Sequence, residues 1–267
     1  MLELVGTCDV VLHMAAAVGV QYLLDNPLLS LQTNIKGTEN ILELCAKFRK
    51  KVLLASTSEV YGKHTKAPLV ETEDSIFGPS VIWRWSYAAS KLIDEYAAFA
   101  YHRQQNLPVI IVRLFNTVGP RQSKDYGMVL PRFIHRALTG QPIPVYGDGQ
   151  QSRTFTDVDE VVTAITKLVE SPNAIGEVVN VGGVEEITIL DLAKRVVEKT
   201  ASHSKIELIP YSQAFEKDFE DMKRRVPSLD KLNRLVGWTP QLKLEDILDR
   251  TIAFTKVRLE QDRIHVA

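Results

Sequence analysis

The 267-residue sequence predicts an α/β protein, a doubly wound parallel sheet joined to a smaller α+β part. Three apolar runs, 10–15, 52–55 and 108–113, read as strands, the first a near-continuous run that suits a parallel strand covered on both faces. Helix-period segments separate them, which is the alternation of a parallel sheet with crossover helices. Beyond Gly119-Pro120 the pattern changes to short pieces broken by Pro131, Pro142, Pro144, Gly147 and Gly149.

The elements follow in order. A first strand is expected over 10–15 (Val-Val-Leu-His-Met-Ala). Leu31, Ile35, Thr38, Ile41, Leu42, Cys45 and Phe48 recur at helical spacing and end in a basic turn, as a helix C-terminus favours. The strand at 52–55 runs into a hydroxyl cluster. A helix from about Ser86 carries Leu92, Tyr96 and Phe99 on one stripe, and the strand at 108–113 follows. Next come a helix over 157–170, a strand over 178–181 closing on Gly182-Gly183, and amphipathic helices over 190–199 and 244–255. The expected division is 1–121 for the sheet domain, with 154–184 returning to it, and 122–267 mainly for the smaller one.

The chain has 32 basic and 33 acidic residues, so its formal charge is −1. That balance gives no reason to expect nucleic acid or an anionic membrane as partner; any anionic ligand needs a local cluster. Cys8 and Cys45 lie in apolar sequence and read as free thiols of a reducing compartment. No apolar run is long enough for a membrane span and the first residues lack a basic leader, so the expected location is cytoplasmic. His64 and His102 have no carboxylate or cysteine at metal-ligand spacing; they read as surface residues, and no metal is expected.

The chemistry concentrates in two motifs. Tyr87-Ala88-Ala89-Ser90-Lys91 places a phenol and an ammonium on one helical face. Ser56-Thr57-Ser58-Glu59 puts hydroxyls and a carboxylate at the C-terminal end of a parallel strand, where α/β sites form. Lowering a tyrosine pKa from about 10 to about 7 takes ~4 kcal/mol. An ammonium ~5 Å away supplies roughly 3 kcal/mol at an effective dielectric near 20. Tyr87 therefore reads as a general base with Lys91 as its electrostatic partner. Thr57 and Ser58 read as hydrogen-bonding groups for the reacting hydroxyl, and Glu59 as an acid/base or a holder of a substrate hydroxyl. Trp83 and Trp85 either line the pocket or pack locally.

These motifs, with His13-Met14-Ala15-Ala16-Ala17, Asn34-Ile35-Lys36-Gly37-Thr38, Arg113-Leu114-Phe115-Asn116-Thr117-Val118-Gly119-Pro120 and Tyr146-Gly147-Asp148-Gly149, resemble the extended short-chain dehydrogenase/reductase family of nucleotide-sugar epimerases, dehydratases and decarboxylases. The resemblance implies a Rossmann-type domain and NAD. Ala15, Ala16, Asn34, Tyr87, Lys91, Leu114 and Phe115 would lie on the cofactor side. Asn116, Met128, Val129, Tyr146, Arg153 and Arg225 would hold a UDP-sugar, the two arginines on its phosphates. Tyr126-Gly127-Met128 looks like part of the base-binding segment. A homodimer through helices over 31–48 and 87–101 is also implied.

No G-x-G-x-x-G or G-x-x-G-x-x-G precedes these motifs, so the sheet is expected to be partial, with the strand at 10–15 as an unpaired edge. The chain is then either an N-terminally short version of such an enzyme or a catalytically impaired nucleotide-sugar-binding paralogue; the otherwise full motif set favours the first. Among reactions, epimerisation of a UDP-hexose at carbon 4 through a 4-keto sugar ranks first. UDP-glucuronate decarboxylation ranks second, because no arginine stands at 126–128 to meet a carboxylate. Dehydration ranks third, since Ser58 replaces an aspartic acid.

Overall fold

The computed structural model describes residues 1–123, 128–214 and 220–266. The first half begins with α1 (Leu2–Thr7), β1 (Val10–His13), α2 (Val20–Asp25), α3 (Pro27–Phe48) and β2 (Lys51–Thr57). After a loop come α4 (Ser86–Gln105), β3 (Val109–Leu114) and β4 (Asn116–Val118). The second half continues with α5 (Val129–Leu138), β5 (Ile143–Tyr146), β6 (Ser152–Asp157), α6 (Val158–Glu170), β7 (Glu177–Val181), β8 (Glu186–Thr188) and α7 (Ile189–Thr200). The last elements are β9 (Ile206–Ile209), α8 (Tyr211–Ala214), β10 (Arg224–Arg225), α9 (Asp230–Val236) and α10 (Leu244–Val266).

The main sheet is parallel, in the order β1-β2-β3-β7. Val52, Leu53 and Leu54 of β2 and Val109 to Val112 of β3 have no exposed surface, as their unbroken apolar runs require. On one face Ile41, Leu42 and Cys45 of α3 meet Ala98 of α4. On the other, Val161, Ala164, Ile165 and Leu168 of α6 meet Leu229 and Leu232 near α9. Residues around 229–238 thus pack under the main sheet, although the sequence division put them with the smaller part. A second sheet, β10-β6-β4 with β8 antiparallel to β6, shares a separate core with α5, α7 and α10. β5 and β9 form a parallel pair.

β1 is the edge of the main sheet; it stops at His13 rather than continuing to residue 15, and it is not covered on both faces as expected, since Leu12 is exposed on it. Beyond it the chain is pulled off the ladder by Asn34 of α3, whose amide accepts from the Ala17 N–H at 2.7 Å and donates to the Ala17 carbonyl at 3.2 Å. Cap chemistry fixes other boundaries. Pro27 opens α3, the Asp157 carboxylate accepts from Asp159 N at the start of α6, and the Thr188 hydroxyl does the same for Asp191 N in α7.

The two histidines read as surface residues are not exposed. His64 is buried with Nε2 3.0 Å from a Glu73 carboxylate oxygen, and half-buried His102 bonds through Nδ1 to the Leu107 carbonyl at 2.7 Å. Both partners come from the fold, not from metal-ligand spacing. Among the described residues no group of three or more His, Cys, Asp or Glu is placed to hold a metal ion. Among them, too, no helix is long and apolar enough to cross a membrane.

Candidate active site

The site forms where β2 and β3 end side by side, with Thr57 opposite Leu114 in the ladder. β2 passes directly into a 3-10 turn, Ser58–Tyr61, because the Thr57 hydroxyl accepts from Glu59 N at 3.2 Å and caps it. The turn closes at Gly62, whose φ of 61° lies in the left-handed region; a Cβ there would stand 2.1 Å from the Ile76 carbonyl oxygen. Glycine is therefore what lets the loop lie behind the Ser58-Glu59 pair.

Helix α4 presents Tyr87 to this strand end. Tyr87 and Thr57 line one cavity with Ala16, Leu114, Phe115 and Asn116, and the nearby Thr57 hydroxyl favours the ionised phenol. Below them Glu95 of α4 accepts from Ser56 at 2.5 Å and from Arg113 Nε and Nη2 at 3.0 and 2.8 Å, tying helix to sheet. Asn34 also reaches Ser90 at 3.4 Å, and Ser90 donates to the Tyr87 carbonyl, so the residue expected on the cofactor side braces the first turn of α4.

The Lys91 ammonium is buried and donates to Asp94 at 2.7 Å, one turn forward. A lysine with a carboxylate at i+3 in a buried setting takes that charge-assisted bond. The Tyr87 phenol is held above its ordinary value, first by burial and then by the Glu59 carboxylate, with Arg225 and Thr57 opposing.

Arg225 is brought to the same edge from far along the chain. In β10 it lies opposite Arg153 of β6, the residue expected to share the phosphates with it. Its Nη2 donates to Ser58 Oγ at 2.7 Å, and its Nη1 is 3.4 Å from Glu59. Arg84, immediately before α4, also donates to Glu59. The two guanidinium groups hold the Glu59 carboxyl down to about 2 against the opposing effect of burial, so it is ionised near neutral pH and cannot act as an acid there. Ser58 is fully buried and its hydroxyl is engaged by Arg225, so it acts as a support for that guanidinium.

A second cavity continues from the first and shares Glu59, Asn116, Met128, Val129 and Arg225 with it. Its wall adds Arg84, Arg132, Tyr146, Arg153 and Asp221. Arg153 donates to Asp221 at 2.9 Å; Asn116 is oriented by the Thr154 carbonyl at 2.9 Å. Arg132 lies 4.9 Å above the Tyr146 ring and donates to its hydroxyl at 3.1 Å. The Nε groups of Arg84, Arg132 and Arg225 are buried without a protein hydrogen-bond partner. Four guanidinium groups against two carboxylates make this a polyanion site of the kind the near-neutral whole chain needed to build locally.

Of the remaining expected positions, Ala15 is exposed and outside both cavities, while Tyr126 and Gly127 lie outside the described residues. Trp85 packs locally, stacked on Phe77 and donating to Glu220 at 2.7 Å, and Trp83 is exposed. Arg84, Arg132, Asp94 and Asp221 were missed. For Arg84 a signal existed: it is the charge in Trp83-Arg84-Trp85, one turn before the Tyr87 helix. Asp221 had none.

The chain is similar to known proteins over nearly its whole length. The family model described as GDP-mannose 4,6 dehydratase matches residues 3–251. A UDP-N-acetyl-alpha-D-glucosaminuronate decarboxylase of Bacillus cytotoxicus is 41% identical over 97% of this chain and 80% of its own length. UDP-glucuronic acid decarboxylase 1 of Danio rerio is 36% identical over 94% of this chain, which spans only 58% of that protein. Among solved structures, a UDP-glucuronic acid 4-epimerase from Bacillus cereus, in complex with UDP-glucuronic acid and NAD, superposes with a TM-score of 0.85 at 29% identity, covering 96% of this chain and 77% of that one.

Proposed function

Since the chain belongs to the extended short-chain dehydrogenase/reductase family of NAD-dependent nucleotide-sugar epimerases and dehydratases, we propose that it decarboxylates a UDP-linked uronic acid through a 4-keto sugar. This reverses the order of preference drawn from sequence. The objection there was the lack of an arginine at 126–128; the observation that carries the present reading is Arg225, seated on Ser58 and Glu59 beside Tyr87. β10 supplies from far along the chain the cation that the loop lacks. The similarity to curated uronate decarboxylases supports the same choice.

The residues fit the nicotinamide end of NAD: Ala16, Leu114 and Phe115 make an apolar wall on the cavity that holds the phenol and Thr57. When bound, NAD would accept the hydride from carbon 4 and later return it. Tyr87, once its phenol is ionised, takes the proton of the 4-hydroxyl, with Thr57 lining the same cavity. The resulting ketone is β to the carboxylate on carbon 5. The bond from carbon 5 to the carboxylate then breaks, carbon dioxide leaves, and its electron pair passes to the carbonyl oxygen, where Tyr87 returns the proton. Carbon 5 next takes a proton from water as the enol proton returns to Tyr87 and the ketone re-forms; reduction at carbon 4, with that proton passing from Tyr87 to the oxygen, completes the cycle. Arg225 and Arg84 orient the carboxylate. Glu59 offsets much of their charge, so the departing group is held without being over-stabilised. Arg153 and Arg132 serve the pyrophosphate, with Asn116, Met128 and Val129 toward the nucleotide side.

Pairing of two copies through α3 and α4 is part of this proposal; Ile93 and Tyr96 are the exposed apolar groups of α4. The function is tested by incubating the protein with NAD and either UDP-glucuronate or UDP-N-acetylglucosaminuronate. A product lighter by carbon dioxide is expected. A product of unchanged mass but altered chromatographic mobility would replace decarboxylation by epimerisation.

A further inference from the structure

Asp221 has no part in any step above, yet its carboxylate sits on the arginine assigned to the diphosphate. Its Oδ2 accepts from Arg153 Nη2 at 2.9 Å, and its Oδ1 lies 3.8 Å from Arg84 Nη2. The other terminal nitrogen of Arg153, Nη1, donates to the Ser152 carbonyl at 2.8 Å. The Arg153 side chain is only 8% exposed. A guanidinium holds a phosphate in fork fashion along one of two edges, Nε with Nη2 or Nη1 with Nη2. Both edges include Nη2. A phosphate seated on Arg153 and the Asp221 carboxylate therefore meet at one nitrogen, where two negative groups repel.

The neighbours of Asp221 in sequence fix its place. Glu220 accepts from Lys63 Nζ and from Trp85 Nε1, each at 2.7 Å. Met222 is fully buried in a cluster with Val60, Tyr61, Leu69 and Trp85. The backbone is thus fastened on both sides of Asp221, and its Oδ1 also accepts from the Met222 N–H at 2.8 Å. The side chain itself is 23% exposed and lines two cavities, the anion cavity and an adjoining one walled by Asp148, Gln151, Tyr211 and Lys223. A change of side-chain rotamer is enough to carry the carboxylate from Arg153 toward the adjoining cavity; Glu220 and Met222 need not be unfastened.

We propose that Asp221 is a resident counter-anion of the cavity, which the diphosphate of the sugar nucleotide displaces from Arg153 and which returns as the nucleotide leaves. This deepens the function proposed above and rests on its assignment of Arg153 to the diphosphate. Substrate and product carry the same diphosphate, so the grip on it is uniform binding. Strengthening that grip holds product as tightly as substrate and does not speed the chemical step. A competing carboxylate loosens the grip on both and leaves a neutral nucleoside untouched. It also gives the buried Arg153 the charged partner that a guanidinium taken out of water needs.

Equilibrium titration with UDP, and with uridine as the neutral control, tests this in the unaltered chain, Asp221→Asn and Arg153→Gln. In Asp221→Asn the Kd for UDP should fall on the order of tenfold, while that for uridine changes less than about twofold. UDP binding should also weaken more steeply with added salt, because the cavity has gained one net positive charge. An unchanged or weakened affinity for UDP overturns the proposal; a weakened one would mean that Asp221 holds Arg153 in place for the phosphates. Equal changes for UDP and uridine overturn it too, since they report a general change in the cavity. If Asp221→Asn shows no cooperative melting transition, Asp221→Ser carries the same expectations. Arg153→Gln should weaken UDP binding by about tenfold or more. If it leaves UDP affinity unchanged, the assignment of Arg153 to the diphosphate has failed. If it weakens UDP binding and Asp221→Asn does not tighten it, that assignment stands and the proposal alone falls.

Discussion

Arg225 Nη2 lies 2.7 Å from Ser58 Oγ, although 167 residues separate them in the chain. The contact joins the two-residue strand β10 to the end of β2 and makes the cation part of the reacting edge. Arg225→Lys keeps the charge but loses the fork that serves Ser58 and Glu59 together. Turnover of a UDP-uronate should fall roughly 10- to 100-fold, as expected for loss of a charge-assisted hydrogen bond. Binding of UDP itself should stay within a few-fold. Calorimetric titration with UDP, set beside kcat/KM for the uronate, checks this. An equal loss on both would return Arg225 to the phosphates.

Tyr87→Phe removes the only ionisable atom that this residue offers the cavity and leaves its ring in place. Turnover should drop by about 10²–10⁴-fold, the usual contribution of a positioned acid/base group. Affinity for the sugar nucleotide should be nearly unchanged, since the anion-binding groups lie in the adjoining cavity. Equilibrium binding measured beside single-turnover rates separates the two effects.

The main sheet was readable because β2 and β3 are buried on both faces and had to be unbroken apolar runs. The Tyr87 helix was readable because its chemistry is local, within one turn. Tertiary partners were not. Nothing at Lys91 announces that Asp94 takes its ammonium, because i+3 and i−4 are both within reach on a helix. Arg225 illustrates the same limit at longer range. The family resemblance assigned it to phosphates, and its contact with Glu59 is made across the pairing of β10 with β6, which the local sequence does not announce. His64 looked solitary because Glu73, its partner, is brought to it by a loop without periodicity.

Gly62→Ala tests whether the turn behind Glu59 depends on its backbone. An alanine there must adopt a φ near 61° and meet the Ile76 carbonyl oxygen at 2.1 Å. A backbone atom cannot rotate away as a side chain can. Destabilisation of at least about 2 kcal/mol is expected, measured by urea unfolding with an unchanged m-value. Turnover should fall as well, because Ser58 and Glu59 ride on that turn. A substitution without effect on either would show that the loop relaxes freely.

Acid stability should depend on Glu59. Its carboxyl is held at about 2 in the folded protein, against an ordinary value of 4.5, and the lowering comes from Arg84 and Arg225 against the opposing cost of burial. A depressed carboxyl means that the unfolded chain binds the proton more readily than the folded one. The stabilisation is therefore fully present above about pH 4.5 and disappears as the pH falls toward about 2. Glu59→Gln removes this titration and leaves Arg84 and Arg225 buried without their counter-charge. It should lower stability at neutral pH, where leaving a buried partner unpaired is strongly unfavourable. Between about pH 4.5 and pH 2 its stability should fall less steeply than that of the unaltered protein, so the two curves converge. Melting temperatures recorded across that window check the sign. Parallel curves would mean that the Glu59 carboxylate is not held by the two arginines in solution, and the electrostatic account of the uronate site would lose its anchor.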